Sequence, residues 1–318
     1  MADERDIFST AAYGGQGWSP RSASLRDEIG VIWTACGLMS EWSPLQAVLL
    51  HRPASELEAS RDPNAVQMLA PLDIARAQSQ HLAMAQAFQQ AGVAVTYVEP
   101  ASPPPPNLMF VADLMFMTPE GVILGRPAST VRAGEERLVA RRLAELGIPI
   151  LRSVHGVGTF EGADAAWLDP QAVLLARGLR TNAAGAAQVA SILREMEIEV
   201  IQVDLPPGTM HLMGQLRFAD RDLAIAWPGR LSGPAIHAVE SHGYRLHFLP
   251  DEAEATYGMA LNFVTLGPKH ILMPSGNPIV QAFYEDLGIT CVTVDIDELV
   301  KAAGGVGCLT GILHRELT

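Results

Sequence analysis

One unit recurs five times along this chain: a short apolar strand, a helix of about three turns, and a second apolar strand. Its copies cover 47–53, 74–91 and 93–98; 121–127, 135–146 and 148–151; 172–178, 183–196 and 199–203; 222–228, 234–241 and 244–249; and 269–274, 278–286 and 289–294. Valine, isoleucine and leucine fill the strands, as half-buried or fully buried strands require. Gly92, Gly147, Gly243 and Gly288 follow four of the helices as stop signals, and Met196-Glu197 is the exception. Stretches such as 109–117 and 165–169 would complete each small sheet. Alternating strands and helices also suit an ordinary doubly wound sheet. Repetition at intervals of roughly 50 residues points instead to a ring-like α/β architecture, in which strand ends face a shared axis. Residues distant in sequence would meet there. Residues 1–42 read as an N-terminal extension that either wraps over the surface or is disordered, and 43–318 as a single domain.

Composition narrows the function classes. The 318 residues are 48% hydrophobic, enough for a large core. The net charge is −13 and no cluster of Lys and Arg stands out, which argues against a nucleic-acid partner and mildly favours a cationic ligand. Cys36, Cys291 and Cys308 are an odd set without zinc-ligand spacing, which indicates a reducing compartment. The charged start of the chain has no signal-peptide core and there is no membrane-length apolar run, so a cytoplasmic protein without a membrane partner is expected. No phosphate-cradling glycine loop is present, and neither an organic cofactor nor a metal is expected.

Four stretches carry chemistry-bearing side chains between the units. Asp113 follows Pro106-Asn107-Leu108-Met109-Phe110-Val111-Ala112 and reads as lying inside an apolar strand, where an unpaired carboxylate is costly. It either caps backbone amides or serves a site. Glu161 and Asp164 are bracketed by small residues in Gly158-Thr159-Phe160-Glu161-Gly162-Ala163-Asp164, which suits a turn or a close approach to a cation. His211 interrupts an apolar run, as a satisfied core histidine or as a general acid/base. Cys308 sits in Gly304-Gly305-Val306-Gly307-Cys308, where glycines allow left-handed or crowded backbone and can present a thiol at close range. Arg132 and Arg180 could hold a carboxylate or form surface ion pairs. Asn182 and Asn277 read as helix N-caps. Jointly these are a nucleophile, an acid/base and anchors for a cation, each at the edge of a different unit.

In this order the motifs resemble those of the pentein, or guanidino-group-modifying, superfamily: arginine deiminases, dimethylarginine dimethylaminohydrolases and amidinotransferases. The resemblance spans about residue 45 to Cys308 and is closest to the dimethylarginine dimethylaminohydrolases. It implies a five-bladed pseudo-symmetric α/β propeller. It also implies Cys308 as nucleophile, His211 as general acid/base and Glu161 as the carboxylate that grips a guanidinium. Asp113 would be a second acid, Asn107 a polar neighbour of the substrate, Arg132 and Arg180 its carboxylate anchors, and Asp164 a supporting acid. Met213 stands where deiminases and amidinotransferases resemble one another in carrying an acid, which speaks against both. Asn107 pulls the other way, because the dimethylarginine enzymes tend to have Asp there.

The resemblance implies a small cationic guanidino substrate, a covalent thiouronium intermediate and a ureido product plus an amine. Arginine hydrolysis and amidino transfer remain alternatives, as does a non-catalytic binding protein of the same fold. The substrate, the oligomeric state (homo-oligomers included) and whether residues 52–72 form a lid or a bare loop stay open.

Overall fold

The computed structural model describes residues 7–317. Along the chain it places β1 (Leu45–Leu50), the helix Ile74–Gln90, β2 (Ala94–Tyr97), β3 (Met115–Thr118), β4 (Gly121–Leu124), the helix Glu135–Glu145 and β5 (Ile150–Ser153). Next come β6 (Ala165–Asp169), β7 (Ala172–Arg177), the helix Ala183–Glu195, β8 (Glu199–Asp204), β9 (Leu216–Asp220), β10 (Leu223–Ala226), the helix Gly233–Ser241 and β11 (Arg245–Phe248). The last unit holds β12 (Val264–Gly267), β13 (His270–Pro274), the helix Pro278–Asp286 and β14 (Thr290–Val294), and β15 (Gly311–Arg315) closes the described chain.

These strands form five three-stranded sheets with one shared design: β15-β1-β2, β3-β4-β5, β6-β7-β8, β9-β10-β11 and β12-β13-β14. In each, the central strand pairs antiparallel with one neighbour and parallel with the strand that returns after the helix. Central strands are the most apolar. Val122, Ile123, Val173, Leu174 and Leu175 are wholly buried. The first sheet joins both ends of the described fold, because β15 pairs with β1. Contacts run from β15 to β3, from the turn before β3 to the turn before β6, on to the turn before β9, from β9 to β12, and from β12 to β1.

The helices cover the sheets with one apolar face. Ile74–Gln90 buries Ala77, Gln80, His81, Met84, Ala85 and Phe88, a helical spacing. Asp73 caps its start by accepting from the Arg76 amide, and Asn182 does the same for the Gly185 amide. Asn277 does not cap. Its amide nitrogen donates to the carbonyls of Gly258 and Pro274, because the preceding turn leaves those acceptors within reach. At the one unit without a stop glycine, Glu197 itself takes the left-handed conformation (φ 61°).

Residues 34–38 pack on the body. The Thr34 amide donates to Gly147, the Gly37 amide to Leu313, and Cys36 and Leu38 lie in the core beside Leu49 and Leu313. The loop between β1 and the first long helix contains two 3-10 turns, Ser55–Glu58 and Pro63–Val66. Cys291 is on half-buried β14, an edge strand. No helix among the described residues is long and apolar enough to cross a membrane.

Candidate active site

The chemistry-bearing residues share a structural address. Each comes from the turn that leads into the first strand of a sheet: Asp113 before β3, Glu161 and Asp164 before β6, His211 before β9, and Cys308 before β15. Asp113 lies in the 3-10 turn Val111–Leu114 and not in a strand, which is confined to Met115–Thr118. The turn is as buried as a strand, so apolarity alone did not separate the two. Turning the chain there aims the carboxylate inward, away from the sheet ladder.

Arg132, 3% exposed, is the hub of a buried charge network. Its Nη1 donates to Asp113 Oδ2 at 2.6 Å and lies 3.6 Å from Glu161 Oε2, while its Nε donates to Glu135 Oε2 at 2.9 Å. Its Nη2 reaches the Asn107 and Phe110 carbonyls. Its donors are therefore committed inside the protein, and it is no surface pair. Arg180 is freer, with only long contacts of 3.4 and 3.5 Å to the two Glu161 oxygens.

Glu161 stands behind His211. Its Oε2 meets His211 Nε2 at 2.6 Å, and its Oε1 accepts from the Ala128 amide. Burial disfavours the imidazolium, but Asp113, Asp164 and the bond to Glu161 outweigh it and push the His211 pKa up to about 9. Burial likewise opposes the Glu161 charge, and His211, Arg132 and Arg180 overcome it, so Glu161 is held below the usual carboxylate range. The pair rests as imidazolium and carboxylate. Asp164 supports the histidine turn: it accepts from the Leu212 amide at 3.1 Å and from the Thr181 hydroxyl at 2.7 Å. Burial raises its pKa to about 6.

The cysteine bend works by crowding. None of Gly304, Gly305 and Gly307 has a positive φ, and Ala303 is the left-handed residue there (φ 73°). A Cβ at Gly307 would overlap Arg217 and Asn262, and one at Gly305 would come within 2.8 Å of the Asn262 Cβ. Asn262 clasps the bend from both sides. Its side-chain oxygen accepts from the Cys308 amide at 3.1 Å, its nitrogen lies 3.0 Å from Sγ, and its carbonyl accepts from the Gly307 amide. Burial and the Asp113 charge push the Cys308 pKa up, against the bonds from Gly305 and Asn262 and the charge of Arg217.

A narrow cleft brings Asn107, Asp113, Arg132, Arg180, His211 and Cys308 to one wall system, with Gln67, Phe110 and Met210 also facing it. Glu161 and Asp164 stay behind that wall. Asn107 is tied down by a bond from its side-chain nitrogen to the Val66 carbonyl. Gln67 bridges to Ser129 at 2.6 Å, so the 52–72 loop reaches over the cleft. Asp113 Oδ1 is buried, faces His211 Nε2 at 3.8 Å, and has no hydrogen-bond donor.

The sequence reading missed Asn262, Glu135 and Gln67. Asn262 had a signal: it interrupts Met259-Ala260-Leu261 and Phe263-Val264 just before β12, the fifth sheet entrance, where the repeat calls for an inward polar residue. One ligand atom from each of Asp113, Glu161 and His211 lies within 4.8 Å of the others. A metal ion there would sit against the Arg132 guanidinium, and the set is better matched to N–H donors. Burial pushes the Glu135 pKa up to about 7, so near neutral pH Asp113, Glu135, Glu161 and Asp164 roughly balance the cations Arg132, Arg180 and His211. A thiol, a proton-bearing imidazole and an acid-rich wall can together bind a planar cation and attack it.

The family model described as "Arginine deiminase" matches residues 99–239. An N(G),N(G)-dimethylarginine dimethylaminohydrolase of Pseudomonas aeruginosa is 26% identical over 238 residues, covering 75% of this chain and 89% of that protein. A crystal structure of a dimethylarginine dimethylaminohydrolase adduct with 4-chloro-2-hydroxymethylpyridine superposes with a TM-score of 0.71 at 25% identity, covering 86% of this chain and all of the other. An amidinotransferase of saxitoxin biosynthesis from Microseira wollei shares the fold alone, with a TM-score of 0.72 at 15% identity over 89% of this chain and 98% of its own. In sequence and in fold, the chain resembles the pentein superfamily of guanidino-group-modifying enzymes.

Proposed function

We propose that the protein is a cysteine-dependent hydrolase of a small guanidino compound, an arginine derivative of the methylated-arginine kind. The observation that carries this reading is the unpartnered Asp113 Oδ1, buried in the same cleft as Cys308 and His211. A buried carboxylate oxygen without a donor is costly, and a substrate N–H relieves that cost. Glu161 is saturated by His211 and the Ala128 amide in this arrangement, so the first grip on the guanidinium falls to Asp113 and the charge on His211 to Glu161. Arg180 is the anchor for the substrate's carboxylate, and Arg132 holds the acids in place. The five sheets are read as blades of a closed ring, supported by the chain of contacts from each sheet to the next.

The reaction follows from these assignments. Cys308 rests as a thiol because burial and Asp113 oppose its charge. A bound guanidinium supplies the positive charge that favours the thiolate, and the thiol proton is released to solvent as the substrate binds. Sulfur attacks the central carbon, and the tetrahedral adduct collapses as His211, an imidazolium at rest, gives its proton to the departing amine. The neutral imidazole then takes a proton from the water that attacks the thiouronium carbon, and the adduct collapses to the ureido product as the expelled sulfur takes the remaining hydroxyl proton and returns to the resting thiol. Met213, where an acid would speak for deimination or transfer, keeps water and a methylated amine as the favoured pair.

Product analysis by mass spectrometry tests this. Dimethylarginine, arginine, agmatine and guanidino acids would be incubated with wild type and Cys308→Ser, with and without an amine acceptor. A ureido product and free amine from wild type alone support the reading. A new guanidino compound formed only with the acceptor would reassign the protein as an amidinotransferase. No turnover of any compound would favour a non-catalytic binding protein.

A further inference from the structure

Behind the Cys308 bend lies a second cavity, of about 50 Å³, which has no residue in common with the cleft. Arg217, Arg315 and Glu41 line it, together with Gly307, Thr265 and Thr310. Both threonine hydroxyls donate elsewhere, to the Phe218 and Val306 carbonyls. Arg315 is 2% exposed; its Nη1 donates to the Ser43 carbonyl at 2.6 Å, and its Nε–H has no acceptor. Arg217 donates through Nη2 to the Phe263 carbonyl and lies over the Phe263 ring. Glu41 accepts from the Trp167 amide at 3.0 Å. Among the described residues none of these three groups is ion-paired, so two guanidinium groups face one carboxylate in a cavity partly open to solvent, where Arg315 is buried and Arg217 and Glu41 are half-buried.

A net positive charge in low dielectric is costly, and burial already lowers the pKa of both arginines. A water molecule satisfies an N–H but leaves the charge. We propose that this cavity binds a small monovalent inorganic anion, of halide size, between Arg217 and Arg315. The space is narrow, about 50 Å³, and a halide fits between the two guanidinium groups. The carboxylate of Glu41 opposes the anion and limits its affinity. The site is separate from the guanidino chemistry, and its occupancy stands or falls independently of that reading.

The test uses the full-length protein prepared in gluconate buffer, a bulky organic anion, as the reference. Bromide is the probe. Crystals soaked in bromide should give an anomalous peak between Arg217 and Arg315. At equal ionic strength, bromide should raise the melting temperature above its value in gluconate. Glu41→Gln should lower the bromide concentration needed for half of that shift roughly tenfold, because one repelling charge is gone. Arg315→Met should abolish the shift. Should Arg315→Met fail to fold, the Glu41→Gln comparison decides alone. Equal melting in bromide and gluconate, a half-shift concentration unmoved in Glu41→Gln, or water density with no anomalous peak at the two arginines would overturn the proposal.

Discussion

The two sides of the Cys308 bend handle charge differently. In front, the carboxylates at and behind the cleft wall, Asp113, Glu135, Glu161 and Asp164, are knitted to Arg132, Arg180 and His211. Behind, the cavity has guanidinium groups in excess, with no ion pair and an idle Nε–H. The thiol lies between these two fields. The front acids favour an incoming cation and oppose the thiolate, while Arg217 behind favours it. The difference teaches that the resting state need not hold the nucleophile charged. A bound cation can shift a balance that the protein keeps close.

The largest effect should come from removing the thiol itself. Cys308→Ser should lower turnover at least about a thousandfold with the fold intact, read by circular dichroism and product formation. Next is the partner of the histidine. Glu161→Gln should lower kcat about a hundredfold or more and move the alkaline limb of the pH profile from about 9 toward 6.5, since the imidazolium loses its counter-charge. The same linkage acts on stability. His211 binds its proton more tightly in the folded state, so its contribution is complete below pH 6.5, declines as the pH rises through about 9, and is gone above it. Denaturant midpoints across that range in wild type and Glu161→Gln would show it, with the slope flattened in the variant.

On the rear side, Gly307→Ala forces a Cβ into Arg217 and Asn262. It should destabilise by about 1–3 kcal/mol in denaturant unfolding and slow alkylation of Cys308. Asn262→Ala removes a bond to Sγ and should slow the same alkylation about tenfold at fixed pH, with a smaller loss of stability. If Asn262→Ala left alkylation unchanged while Glu161→Gln abolished it, the front of the bend alone would control the thiol, and the contrast drawn here would collapse.

The repeat was legible because it rests on local physics. Strand apolarity, helical spacing and stop glycines each act within a few residues, and all five sheets follow from them. The candidate site was legible where a polar residue broke an apolar run, as at Asp113 and His211, and where glycines crowded around Cys308. What each residue does to its neighbours was not. Which carboxylate oxygen is saturated depends on the meeting of turns some 50 residues apart, as between Glu161 and His211. Arg132 read as a surface or substrate-facing cation, and only packing shows it buried among acids. Arg217 lies on β9, whose alternation Leu216-Arg217-Phe218 suggests a solvent-facing side chain. Packing of β9 beside β12 turns that face inward, toward the cavity.

The most direct test of the central claim is intact-protein mass spectrometry on enzyme quenched in acid during turnover of dimethylarginine. The account predicts a covalent adduct that maps to the peptide carrying Cys308, accumulates before product release and is absent from Cys308→Ser. Turnover that persists in Cys308→Ser would contradict it, and so would an adduct carried by Cys36 or Cys291 instead.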